Sequence, residues 1–369
     1  MSPGAEDHPT SPSTKRDHPA SPPDATGRPA AAGPSPSDRG RLIGSSTEVD
    51  SPTREVSRRI FLGGVATAAA TTFATEAHGQ TPEQVNVEAF ISGVRAARLF
   101  DLGFTWDQTA PILSLNPPYA FALNATHRQT HEVFGSAPGS QVSWTSEILY
   151  FSGQHGAPTI DAIGHIGRNL KLHGGVDAVQ ATSRPDGIGN DLGIETFPRD
   201  LLLSRGVLLD VARVVAGGAA DPLPPGLEIT AKHLEDAARA HGVRVNRGDS
   251  VLIRTGWGQY FGKDNARYLG EKSPGPGVDA GRWLVAQGAR LTGADTATYE
   301  VRPAVNGREL FPVHMLMIAD NGIYLVENAN LEELGAAGVH LFCLVVPPLR
   351  IRGASGSPLR MLALTPRQS

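Results

Sequence analysis

Two short stretches of this chain concentrate side chains that can hold a cation or move a proton. The first is HGAPTIDAIGH, residues 155–165, which places His155, Asp161 and His165 at i, i+6 and i+10. Gly156 and Pro158 interrupt regular structure between the first two. Two imidazoles and a carboxylate can therefore converge on one ion from a turn, whereas ligands on a single helix face would show helical spacing. A polar loop with two incidental histidines would read the same way. The second stretch is FPVHMLMIADNGIYLVEN, residues 311–328. Residues 313–319 read as a helix, Asn321-Gly322 ends it, and residues 323–326 read as a strand that delivers Glu327. A helix folded back antiparallel on that strand brings His314 and Glu327 together. A carboxylate at the end of a buried strand needs a partner, because burying it unpaired is costly. A metal ion and a salt bridge both meet that need.

Something must position these groups. The chain has 369 residues, 40% of them apolar, enough for a substantial core. A formal net charge of −4 gives no electrostatic reason to expect nucleic acid or an acidic membrane as partner. The single cysteine, Cys343, lies in the apolar run HLFCLVVPPL and reads as core. One cysteine excludes an intrachain disulfide and a multi-thiolate zinc site. Any metal must be held by His, Asp and Glu, a donor set suited to zinc, manganese or iron.

Residues 1–56 are rich in Pro, Ser, Gly, Asp and Arg and almost free of large apolar side chains, so they are expected to be disordered. Residues 57–80, SRRIFLGGVATAAATTFATEAHGQ, resemble a twin-arginine export signal: Arg58-Arg59, then Ile60-Phe61-Leu62, then a small-residue apolar run. That run is too weakly hydrophobic for a stable membrane anchor. The expectation is export to the periplasm or beyond, with a folded domain over residues 81–369.

Residues 84–98 have the apolar spacing of a helix, and residues 99–104 read as a strand. The AFALNATHRQT neighbourhood reads as loop, leaving His127 and His131 as solvated residues. EILYF, residues 147–151, has strand chemistry, so the first stretch would begin where a strand leaves the sheet, and AIGHIG would open a short helix. The glycine-rich residues 168–198 look like an excursion at a pocket mouth, with His173 a weak candidate for substrate contact. Strands are expected at 205–211, 249–254, 289–294 and 340–346. Helices are expected at 229–241, with Thr230 as N-cap, and at 279–287. Alternation of this kind argues for an α/β domain.

Together these residues resemble the metal-dependent cyclase superfamily, which includes kynurenine formamidase and isatin hydrolase. The family's H-x-G-T-H-x-D-x(3)-H signature is matched by HGAPTIDAIGH, and its downstream His and Glu by HMLMIADNGIYLVEN. RGVLLDV, GDSVLIRTGW, PGPG and GADTATYE also follow the family's pattern, and the resemblance spans about residues 98–350. One departure stands out: the family's second histidine falls on Thr159. The resemblance implies a swivelling β/β/α domain with a mixed sheet and flanking helices, usually a dimer or larger homo-oligomer. It implies a divalent metal, Zn or Mn, held by residues matching His155, Thr159, Asp161, His314 and Glu327, and it makes His165 the general acid–base.

The reaction so implied is metal-assisted hydrolysis of a small amide, arylformamide-like or cyclic. Trp257, Tyr260 and Phe311 would line a pocket for an aryl substrate. Two other readings share these residues. One is a lyase or cyclase on the same scaffold. The other is an exported binding protein with a degenerate metal site, which the loss of an imidazole at Thr159 favours and the retention of His165 disfavours.

Overall fold

The structure is a computed structural model that describes residues 82–154, 156–217, 221–304, 307 and 309–367. The twin-arginine motif, the stretch before it and His155 lie outside the described residues. In chain order the strands are β1 (Arg98–Asp101), β2 (Ala120–Ala125), β3 (Ser146–Tyr150), β4 (Thr159–Asp161), β5 (Leu203–Asp210), β6 (Glu228–Ile229) and β7 (Ser250–Arg254). They continue as β8 (Gly275–Pro276), β9 (Leu291–Ala294), β10 (Tyr324–Glu327), β11 (Leu341–Val345), β12 (Gly356–Pro358) and β13 (Leu362–Thr365).

Nine of these strands form one mixed sheet in the order β1-β13-β11-β5-β7-β9-β10-β4-β12. Its centre, β5-β7-β9-β10, is parallel, and antiparallel strands extend it on both sides. The central strands read as near-continuous apolar runs because both sheet faces are covered. Along β5, Val207 and Leu209 enter one core while Leu208 enters the other. The first core is closed by the helices Ala231–Ala240 and Val278–Gln287 and by the helical stretch of residues 312–320, through Leu234, Ala237, Leu284, Val313 and Met317. The second is closed by loops and short turns carrying Ile194, Leu201, Leu331 and Leu334. This is the mixed α/β architecture with flanking helices that the sequence implies.

Three local expectations are corrected. Residues 120–130 are not a loop: they form β2 and a helical turn whose Thr126 and Gln129 cap one another. His127 and His131 are exposed, as expected. The EILYF strand, β3, pairs only with β2, in a ribbon separate from the main sheet. The motif therefore supplies its own strand, β4. Nor does AIGHIG open a helix; it turns, with the His165 amide donating to the Ala162 carbonyl. The Gly164 amide donates instead to the Leu192 carbonyl at 2.8 Å, so it is not available to a helical ladder.

At the C-terminal ends of β5 and β7 lies a buried charge network. Arg254, 2% exposed, donates to Asp210 Oδ1 at 3.0 Å and to Glu332 Oε2 at 2.6 Å. Asp210 also accepts from the Arg213 backbone amide at 3.0 Å and so caps the following helix. Removing one member of such a pair leaves an uncompensated buried charge. Arg254→Ala is expected to cost about 3–5 kcal/mol of stability, read as a lower denaturation midpoint in urea.

Candidate metal centre

The site is assembled by sheet register. β4 runs antiparallel to β10, with Thr159 opposite Glu327 and Asp161 opposite Leu325. Residues two apart along a strand share a face, so Asp161 and Glu327 are diagonal neighbours on one side of the sheet. Leu325 shares that face, and over it packs the helical stretch bearing Val313, Met317 and Ile318. This stretch turns at Asn321-Gly322, where Gly322 takes φ 63°, and the chain returns as β10. The fold-back read from the sequence is thus present, and it sets His314 Nε2 3.1 Å from Glu327 Oε1. The same nitrogen lies 3.7 Å from Asp161 Oδ2. One ligand atom from each of Asp161, His314 and Glu327 falls within 4.8 Å of the others, and all three residues are buried.

Glu300, which the sequence reading did not single out, holds this geometry. Its carboxylate accepts the backbone amides of Val313 and His314 at 3.0 Å each, and His314 Nδ1 at 2.5 Å. One acid therefore fixes both the start of the helical stretch and the imidazole ring. With Nδ1 engaged by Glu300, Nε2 is left facing the two carboxylates, the arrangement in which a histidine ligates through one nitrogen and is oriented through the other. The sequence signal was slight: a glutamate in the otherwise apolar ATYEV.

Electrostatics points the same way. Burial disfavours the imidazolium of His314, but hydrogen bonds and charges from Glu300 and Glu327 outweigh it and push the pKa up. Burial also raises Glu327, opposed by the His314 hydrogen bond and reinforced by the charges of Asp161 and Glu300. The His314 shift expresses the negative charge gathered around its ring, whereas that of Glu327 is due first to burial. Both oxygens of Asp161 are buried with no hydrogen-bond partner. Buried carboxylate oxygens are rarely left so. A divalent cation would satisfy them, and the oxygen and imidazole donors fit such an ion.

The other expected residues fall as follows. His165 stands beside the cluster, partly exposed, with Nε2 3.9 Å from Asp161 Oδ1 and Nδ1 3.1 Å from Gln154 Nε2. Thr159 directs its hydroxyl at two carbonyls, Gly153 at 3.0 Å and Ser357 at 3.3 Å, where it ties β4 to the edge strand β12. Trp257 is fully buried, its indole donating to the Tyr268 carbonyl at 3.3 Å. The turn that carries it is drawn inward because Thr255 and Gly256 donate to the buried Asp295 carboxylate. Tyr260 packs edge-on to Trp257 and lies under Arg267. Phe311 touches the site from the side, its ring 5.3 Å from the His314 ring. His173 donates to or accepts from no substrate-facing group in this arrangement; its Nδ1 lies 3.2 Å from the Ala319 carbonyl.

The cavity that opens at Glu327 has a different wall from the one expected. Trp106, Ile112, Leu113, Gln154 and Asn328 line it, and Trp257, Tyr260 and Phe311 do not. Trp106 is held by Tyr119 and Phe151, at 4.5 and 5.7 Å between ring centres. Asn328 takes φ 57° and its Oδ1 accepts from the Tyr268 hydroxyl at 2.8 Å. Trp106 lies in a segment without periodic pattern, so nothing in the sequence marked it as a wall.

The model of the putative cyclase family matches residues 100–301. The chain belongs to this family. It is 28% identical over 262 residues to the isatin hydrolase of Roseibium aggregatum, covering 70% of this chain and 88% of that protein. A crystal structure described as a novel cyclase superposes with TM-score 0.65 at 29% identity, covering 78% of this chain and 94% of the other. Isatin hydrolase A from Ralstonia solanacearum shares the fold, with TM-score 0.58 at 22% identity over 78% of this chain and all of that one. Kinship with a hydrolase inside this family supports metal-dependent hydrolysis at the family level.

Because Glu300 acts through His314, its loss should be felt in metal affinity. Glu300→Gln is expected to weaken binding of zinc or manganese about 10–100-fold, measured by competition with a chromogenic chelator.

Proposed function

We propose that this chain is a metal-dependent hydrolase of a small neutral amide, cyclic or N-aryl. The observation that carries the reading is the buried Asp161–His314–Glu327 cluster, with both Asp161 oxygens unpartnered and His165 beside it. Asp161, His314 and Glu327 would hold a zinc or manganese ion, with His155 as the further candidate from the motif. Such an ion, when bound, polarises a carbonyl and acidifies water.

The chain's own groups account for the rest. Trp106, Ile112 and Leu113 offer a flat apolar wall, which suits an aryl ring and excludes bulk water from it. The amides of Gln154 and Asn328 face the same cavity and can align a substrate's carbonyl and N–H. Among the described residues, no lysine or arginine lines that cavity, which favours a neutral substrate over one bearing a carboxylate. His165 Nε2 stands on the Asp161 side of the site and, with Nδ1 accepting from the Gln154 amide, carries the ring proton that it would give to the leaving nitrogen. The kinship with isatin hydrolase makes a strained cyclic amide the first substrate to try.

The test combines metal analysis with turnover of isatin and an N-formylarylamine. Wild type is expected to hold about one equivalent of metal per chain and to open at least one of these substrates. Asp161→Asn and His314→Ala should lose both metal and activity. His165→Ala should keep its metal while turnover falls roughly 10²–10⁴-fold. Full turnover in the metal-loaded His165 variant would remove the proton-transfer role.

A second check concerns the wall. Trp106→Ala is expected to raise KM for an aryl amide by roughly 10-fold, as a buried aromatic contact is lost, with a smaller effect on a substrate lacking the ring. Steady-state kinetics on the two substrates reads the difference.

A further inference from the structure

Asn328 follows Glu327 directly and lines the same cavity. Its side chain is anchored from behind. The Tyr268 hydroxyl donates to Asn328 Oδ1 at 2.8 Å, and Tyr268 is fully buried. A phenol has one hydrogen to give, and the alternative acceptor, the Asp295 carbonyl, lies farther away at 3.4 Å. Burial, reinforced by the charges of Asp295 and Glu327, pushes the Tyr268 pKa well up, so the hydroxyl keeps that hydrogen. With its oxygen engaged by the phenol, the Asn328 amide is left with the two hydrogens of Nδ2. Among the described residues, Nδ2 donates to no other side chain or carbonyl.

The anchor is itself held in place. Tyr268 ends the helical turn Asn265–Tyr268, which Asp264 caps by accepting the Arg267 amide at 3.0 Å. The Tyr268 carbonyl accepts from the Trp257 indole at 3.3 Å, and the Tyr268 ring meets Phe261 edge-on at 5.4 Å. Trp257, Phe261 and Tyr268 share a small apolar core with Ala157 and Ala297, and Ala297 reaches the cavity wall. The buried Trp257 therefore stands one step behind the cavity, holding the tyrosine that holds the amide. Backbone demands alone do not explain an asparagine here. Asn328 takes φ 57°, which glycine adopts at less steric cost, and the tyrosine hydroxyl has the Asp295 carbonyl within reach. What asparagine adds is a donor on the cavity side, beside Glu327. Gln154, in the same wall, is engaged at both ends: Oε1 accepts from Ser355 at 3.2 Å, and Nε2 donates to His165 Nδ1 at 3.1 Å.

Taking the hydrolase proposed above as given, we infer that Asn328 Nδ2 is the donor that receives the carbonyl oxygen of the bound amide, and that Tyr268 is the residue that positions it. When the carbonyl carbon is attacked, negative charge gathers on that oxygen. A donor already turned toward it therefore gains most in the transition state. Preorganisation is what the phenol contributes. An amide free to rotate would present Oδ1 to the cavity as readily as Nδ2, and an oxygen there repels the developing charge.

The full chain is compared as wild type, as Asn328→Gly, which suits the backbone angle but removes the amide, and as Tyr268→Phe, which removes only the hydroxyl. One readout is steady-state kinetics on isatin and an N-formylarylamine, with metal content measured alongside. Asn328→Gly is expected to keep its metal and to lose about 10²–10³-fold in kcat with KM little changed. Tyr268→Phe should lose at least about 10-fold, again in kcat. The other readout is the infrared carbonyl stretch of isotope-labelled indolin-2-one, a lactam without the activating second carbonyl, bound to each form. It should lie lower in wild type than in either variant, because a hydrogen bond to the oxygen weakens the C=O bond.

Wild-type kcat in Asn328→Gly, or an unchanged stretch, overturns the donor. A loss confined to KM overturns it as well, since the contact would then serve ground-state binding alone. An effect in Asn328→Gly with none in Tyr268→Phe overturns the positioning role. A wild type that binds the lactam but hydrolyses neither amide removes the hydrolase, and the stretch then decides the donor by itself; a wild type that does neither overturns both. If Asn328→Gly does not fold, Tyr268→Phe carries both readouts with the same expectations.

Discussion

Three carboxylates gathered around one imidazole inside a protein set the constraint on which this site depends. Asp161, Glu300 and Glu327 all bear on His314, and little solvent reaches them. Burial, reinforced by the charges of Asp161 and Glu300, disfavours the ionised form of Glu327. Among the described residues, the His314 ring is the potentially cationic group at hydrogen-bonding distance from these acids, and Glu300 already engages its Nδ1. Two acids therefore share a single remaining nitrogen, and the Asp161 carboxylate is left with no hydrogen bond. An added divalent charge would resolve that imbalance, and this is the physical reason the cluster could hold a metal.

The Asp210–Arg254–Glu332 network makes the contrast plain. Asp210 and Arg254 are as deeply buried, though Glu332 is partly exposed, and there the chain provides its own guanidinium, placed at hydrogen-bonding distance from both acids. That network closes on itself and holds the ends of β5 and β7 together. The candidate metal centre lies on β10 and β4, further along the same sheet, and there, among the described residues, no guanidinium is hydrogen-bonded to Asp161 or Glu327. Two clusters of similar residues thus diverge in role according to whether a cation comes from within the chain.

Sheet topology decides which acids meet. Four parallel strands form a rigid centre, and β4 is added antiparallel beside β10 although about 160 residues separate them in sequence. A slip of one residue in that pairing would turn Asp161 to the opposite face, since side chains alternate along a strand. The hydroxyl of Thr159 ties β4 to the backbone on its β12 side, at Gly153 and Ser357. Where an imidazole stands in the family's motif, this chain carries a group that fastens the strand.

The sequence alone determined the elements whose cause is local. Apolar runs gave the central strands, and helical spacing gave the helices at residues 231–240 and 278–287. The Asn321-Gly322 stop between helix and strand was enough to bring His314 to Glu327, because a fold-back of thirteen residues leaves few alternatives. Tertiary structure decided what depends on partners distant in the chain. Asp161 reaches the site through the β4–β10 register, which no periodicity encodes. Glu300 acts through backbone amides that exist only once the helical stretch has formed. Trp257 reads as an aromatic in a glycine-rich turn, yet the hydrogen bonds from that turn to Asp295 draw it into the core, and Trp106 forms the cavity wall instead. Burial is a property of the assembled chain, so residue type could nominate the chemistry while packing chose which side chains carry it.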